Sequence, residues 1–261
     1  MDLGIISGYQ EQDFQMAKNK GLDFIELCLN INHPIDEFLK QIENIKTWSQ
    51  HYQIRVGSIG RWGTDRIDQK GRCISKEVEI SYNLIDVAAE LECPNFVCGC
   101  NYIEELSYYE NCTAAIDYLK DLILYAKGKG VQISTYNCRW NNFIHSDPAW
   151  TVIHGHLPEL GIKYDPSHCY YAGGDYLAEM KKWGKRFYHV HIKGSLAIQG
   201  ERFDDPPAGL DMTNWGAFMA ILYAQQYQGG LSIEPHSPSW QGKLGEQGVD
   251  FSIRYIRQFL F

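Results

Sequence analysis

The chain has 261 residues, of which 44% are hydrophobic and 21% charged, a globular mix long enough to bury a large core without covalent staples. Its formal net charge of −8 opposes attraction to phosphate backbones and anionic membranes. No run reaches the roughly 18 apolar residues of a membrane span, and the opening Met1-Asp2-Leu3-Gly4-Ile5-Ile6-Ser7 reads as a strand, not as a basic and then apolar export signal.

Taken in order, short apolar segments alternate with longer helical patterns. A strand is expected over 3–7, a helix over 11–20 closed by Gly21, and a strand over 24–27. A helix over 36–51 follows, with Phe38, Ile42 and Ile45 at helical spacing, then a strand over 55–58 and a helix over 76–92. The strand 96–98 leads to a helix over 110–129, in which Ile116 and Leu119 share a face and Gly128–Gly130 end the run. The strand 132–136, helix 147–157, strand 161–164 and helix 175–183 continue the pattern. The strand 188–192, helix 213–227, strand 231–234 and helix 245–259 complete it. Strand followed by helix, eight times, predicts a parallel sheet with right-handed crossovers that closes into a single-domain (β/α)8 TIM barrel over 1–261. A dinucleotide-binding sheet would need a glycine-rich turn after the first strand, which Ser7-Gly8-Tyr9-Gln10 does not provide.

The eight cysteines are scattered, and several fall inside strands, as Cys28 does. They read as reduced thiols in a cytoplasmic protein. Cys98-Gly99-Cys100 is too closely spaced, and lacks the second pair, for a thiolate metal site.

In such a barrel, chemistry sits where strands end and loops begin. The sixth strand runs into Lys163-Tyr164-Asp165-Pro166-Ser167-His168. Asp165 there suits a metal ligand, although taken by itself it suits an N-cap better. The seventh reads Tyr188-His189-Val190-His191-Ile192-Lys193, with 189, 191 and 193 on one face; polar groups pointing into a barrel need partners. The eighth closes on Ile233-Glu234-Pro235-His236. Asp165, His191 and Glu234 make a hard-to-intermediate donor set for one divalent ion, Mn²⁺ or Mg²⁺ first, with Co²⁺, Fe²⁺ and Zn²⁺ also suited. Glu26, at the end of the second strand, reads as a cavity residue or as an ion-pair partner of Lys163.

These residues carry a resemblance over nearly the whole chain. Leu3–Ser7, Ala17–Leu27, Asp165-x-x-His168, His189-Val190-His191-Ile192-Lys193, Pro207-Ala208-Gly209-Leu210-Asp211 and Ile233-Glu234-Pro235-His236 resemble, in order and spacing, the xylose isomerase-like barrels of sugar isomerases and epimerases. The resemblance implies four metal ligands from the fifth to eighth strands: Glu, Asp, His and Glu. The last three fall on Asp165, His191 and Glu234. The first falls in Ile133-Ser134-Thr135-Tyr136-Asn137-Cys138-Arg139, where no Glu stands; Asn137 takes the slot, with Tyr136 as the alternative. An amide oxygen can hold a hard metal, but it cannot abstract a proton. The resemblance further implies Glu234 as the catalytic base and His168 as a catalytic and substrate-binding group; Lys193, on the inward face of the seventh strand, reads as a catalytic source of positive charge. Arg202 is the nearest candidate for the family's substrate-binding Arg; apart from the resemblance, Trp62, Trp140 and Tyr170 near strand ends read as candidates to line a sugar pocket, and Arg61 and Arg139 at neighbouring mouths as candidates to bind a carboxylate or phosphate.

The reading that follows is a metal-dependent isomerase or epimerase acting on a small keto-sugar, sugar phosphate or polyol through an enediolate. A lyase acting on a keto-sugar or keto-glycoside, and a sugar-binding protein with impaired catalysis, are the alternatives that the missing Glu keeps open. The expected partner is a small sugar-like molecule and neither nucleic acid nor membrane, and a homo-oligomer is compatible with this. The three-metal cleavage of abasic DNA known among related barrels needs more ligands than this chain has, and a basic groove.

Overall fold

The computed structural model describes all residues from Met1 to Phe261. Eight parallel strands form a closed barrel: β1 (Asp2–Ser7), β2 (Phe24–Asn30), β3 (Arg55–Trp62), β4 (Asn95–Cys98), β5 (Gln132–Tyr136), β6 (Gly161–Tyr164), β7 (Phe187–Ile192) and β10 (Gly230–Ile233). They run in the order β1-β10-β7-β6-β5-β4-β3-β2. All eight expected strands are present, and β2 and β3 continue past the expected ends.

The helices pack outside: α1 (Glu11–Asn19), α2 (Ile35–Leu39), α3 (Ile42–Tyr52), α4 (Ser75–Glu90), α5 (Tyr108–Ala126), α6 (Asp147–His156), α7 (Pro166–Tyr171), α8 (Tyr176–Trp183), α9 (Trp215–Ala224) and α10 (Gly242–Arg257). One helix expected over 36–51 is in fact two, α2 and α3, separated at Lys40–Gln41; each buries its own pair, Ile35 with Phe38 and Ile42 with Ile45. The short helix α7 was not expected. Pro166 opens it, and the Asp165 side chain caps it by accepting from the Ser167 amide at 2.9 Å. Between β7 and α9 lies a further unexpected element, a hairpin of β8 (Leu196–Ile198) and β9 (Glu201–Asp204). Its turn residues Gln199 and Gly200 both have positive φ, as a tight two-residue hairpin requires.

The bottom of the barrel is sealed by one ring. Phe24 is buried, and a Cβ on Gly4, Gly57 or Gly230 would lie 2.4, 2.4 or 2.8 Å from its ring atoms. Only glycine lets β1, β3 and β10 close around that plug. Above it sits His189, edge-on at a centroid distance of 5.8 Å. All eight cysteines are free thiols; five are buried and Cys73 is exposed. No helix is long and apolar enough to cross a membrane.

Candidate active site

Asp165 follows the last residue of β6, His191 is the penultimate residue of β7, and Glu234 follows the last residue of β10. Their donor atoms all lie within 4.8 Å of one another at the C-terminal mouth. His191 Nδ1 is 2.6 Å from Glu234 Oε2. One oxygen of Asp165 caps α7, while Oδ2 is buried with no hydrogen-bond partner. His168 Nε2 at 3.3 Å and the Lys193 ammonium at 3.7 Å are its neighbours. An orphaned buried carboxylate oxygen facing an imidazole and a second carboxylate suits a divalent cation. The donor set therefore fits such an ion, with Asp165, His191 and Glu234 as the residues that would hold it.

A second group lies one layer deeper. Glu26 Oε2 is 2.8 Å from His189 Nε2, and both Glu26 oxygens lie 2.9–3.0 Å from His191 Nε2. Glu26 is thus the partner of two histidines and not of Lys163, which corrects one of the two expectations for it. Burial by itself would raise the Glu26 pKa, but the histidines hold it well below the ordinary carboxylate range. Burial depresses the His189 pKa, whereas His191, flanked by Glu26 and Glu234, is raised despite burial. Fixing Nε2–H on Glu26 leaves Nδ1 of His191 to face Asp165 and Glu234, the usual arrangement of a metal-binding histidine.

Lys193 stands among three carboxylates: Glu234 at 3.6 Å, Asp165 at 3.7 Å and Asp205 at 3.9 Å. Burial opposes its charge, but those three keep the pKa above the usual lysine value. His168 is pushed down to about 4, chiefly by burial, so it is a neutral imidazole at pH 7. Asp205, just beyond the hairpin, accepts from Tyr171 Oη at 2.7 Å and lies 2.8 Å from His236 Nδ1. It also pairs with Arg202. Neither Asp205 nor Tyr171 was singled out in the sequence; the run Asp204-Asp205 ahead of Pro206-Pro207 is the only local signal.

His191, Lys193, Glu234 and His236 border a cavity of about 420 Å³ at the barrel mouth. Trp62, Trp140, His168 and Arg202, four of the candidate substrate contacts, line it. Trp62 stacks on Tyr136 at 5.5 Å, and the Arg202 guanidinium lies 5.1 Å over the Tyr171 ring. Arg139 is exposed and is not among the lining residues, which removes the ground for its expected role. Arg61 is committed to Glu77 and to the Asn30 carbonyl, each at 3.0 Å. Asn137 also differs from its expected use. Its amide donates to the Asp165 carbonyl at 2.8 Å, and its oxygen accepts from the Asp165 amide at 2.9 Å. The side chain thus clamps the backbone of Asp165 instead of turning to the cluster. Tyr136, the other candidate, donates to the Trp140 carbonyl at 3.1 Å.

Comparison with known proteins agrees with this fold. A curated relative, the uncharacterized protein YfiH of Bacillus subtilis (strain 168), is 22% identical and is covered over 94% of its length by 95% of this chain. D-psicose 3-epimerase from Clostridium cellulolyticum H10 superposes with a TM-score of 0.80 at 12% identity, covering 100% of this chain and 99% of that one. The 3-keto-D-glucoside 4-epimerase YcjR from E. coli gives 0.77 at 16%, with 99% of each chain covered. The probable 3-DHS dehydratase AsbF from Bacillus anthracis gives 0.75 at 13%, covering 98% of this chain and 99% of that one. The family model described as xylose isomerase-like TIM barrel matches residues 14–259, and the chain belongs to that family.

Proposed function

We propose that the protein is a divalent-metal-dependent enzyme of the isomerase or epimerase type that moves a proton beside the carbonyl of a small sugar-like substrate. The observation that carries this reading is the convergence of Asp165, His191 and Glu234 from three strand ends, with a buried Asp165 oxygen left without a partner. Asp165, His191 and Glu234 would hold the ion, whose Lewis acidity would make a C–H beside a bound carbonyl acidic. Glu234 Oε1, the oxygen not bonded to His191, is the group to accept that proton. Lys193 beside it supplies positive charge where the oxyanion develops, and neutral His168 hydrogen-bonds a substrate hydroxyl. Trp62 and Trp140 offer apolar faces to the ring.

A one-base elimination is the second reading, and Asn137 favours it. With its amide turned onto the Asp165 backbone, the end of β5 presents no carboxylate to the cavity. A dehydratase of the AsbF kind, like the two epimerases, shares this fold.

Elemental mass spectrometry of the freshly purified protein is expected to find about one divalent ion per chain, lost in both Asp165→Ala and His191→Ala. Deuterium wash-in beside the carbonyl, followed by NMR over ketoses, inososes and keto-glycosides, is expected to stop in Glu234→Gln while the ion is kept. A wild-type protein that binds neither Mn²⁺ nor Mg²⁺ when offered them overturns the proposal.

A further inference from the structure

One cation of the barrel interior is left unused by the reaction described above. Lys163 lies on β6 two residues before Asp165, so its side chain points into the barrel on the same face. The register puts it beside His189 on β7 and Tyr136 on β5, one layer below the ligand cluster. It is 2% exposed and lines the mouth cavity together with His168, Lys193 and Glu234.

Lys163 has no hydrogen bond and no carboxylate within ion-pair distance. The acids around it are held elsewhere. Glu26 is taken by His189 and His191, Asp165 is shared by His168 and Lys193, and Glu234 is shared by His191 and Lys193. An ammonium that reaches a cavity without a carboxylate partner is free to pair with an anion that enters it.

We propose that the substrate is an anionic keto-sugar whose negative group pairs with Lys163, rather than a neutral ketose. This rests on the proposed function only for the keto-sugar part; the anion site stands on the unpaired ammonium itself. The group is a carboxylate or a phosphate, both acceptors for a lysine at the floor of a cavity.

The test is calorimetric titration of the protein as purified with matched pairs: D-gluconate against D-glucitol, and D-fructose 6-phosphate against D-fructose. Wild type is expected to prefer the anion of at least one pair, and Lys163→Met to reduce that preference roughly 10- to 100-fold. The pair showing the loss tells carboxylate from phosphate. Lys163→Met removes an unpaired buried charge and is expected to fold; Lys163→Gln serves the same comparison if it does not. No anion preference in wild type, or a preference that survives both variants, overturns the inference. Deuterium exchange separates this outcome from the reaction itself. Exchange on neutral ketoses without anion preference keeps the reaction and removes the anion site. A Lys163-dependent preference with no exchange on any substrate keeps the site and removes the reaction.

Discussion

Glu26 does at the scale of one residue what Asp165, His191 and Glu234 cannot do for themselves. It fixes which nitrogen of His191 faces the cluster, and it ties His189 to the same carboxylate. Glu26→Gln keeps the shape but lacks the charge, and it is expected to weaken divalent-ion binding about 10- to 100-fold. Competition with a fluorescent chelator measures this; unchanged affinity would remove the orienting role. The three ligand candidates were legible in the sequence because each polar residue closes an apolar strand. Glu26 was legible as an interior residue but not as the partner of His189 and His191, because they lie 163 and 165 residues away. Asn137 was placed correctly in the barrel and given the wrong neighbour. Its two short bonds run to the backbone of residue 165, and no side-chain pattern reports a free backbone group on the next strand.

Strands and helices add a pH dependence of their own. His154 of α6 lies 3.1 Å from Thr135 Oγ1 on β5 through Nε2, and its Nδ1 donates to the Leu160 carbonyl at 3.2 Å. Burial pushes it from 6.5 to about 4. The folded protein therefore refuses a proton that the unfolded chain accepts between those values. Stability is full above pH 6.5 and is lost as pH falls towards 4, by up to about 3 kcal/mol from this group. Urea midpoints across that window are expected to vary less with pH in His154→Gln; an identical slope would show that the proton goes elsewhere. The same scale shows where pattern reading ran out. The strands and principal helices follow from apolar periodicity, whereas the hairpin strands of three and four residues are too short to carry any. Those strands lead to Asp205, so that carboxylate beside Lys193 lay outside the reach of the sequence, although Arg202 on β9 did not.

Over the whole molecule, the barrel is a column of side chains standing on Phe24. His189 rests on the ring, Glu26 joins His189 to His191, and His191 meets Glu234 at the mouth. Phe24→Ala is expected to lower stability by about 3–5 kcal/mol, because Gly4, Gly57 and Gly230 have no side chains to fill the space. Denaturant unfolding reads this directly, and a loss below about 1 kcal/mol would mean that the floor rearranges. The fold as a whole was the most legible level, since eight repeats of strand and helix leave few ways to bury their apolar faces.

The sealed floor also sets the side from which the site is reached. With Phe24 closing one end, the interior has a single doorway, and nothing can be threaded through it. Glu234 is reached only from the mouth face, so on the proposed function a substrate enters and its product leaves on the same side.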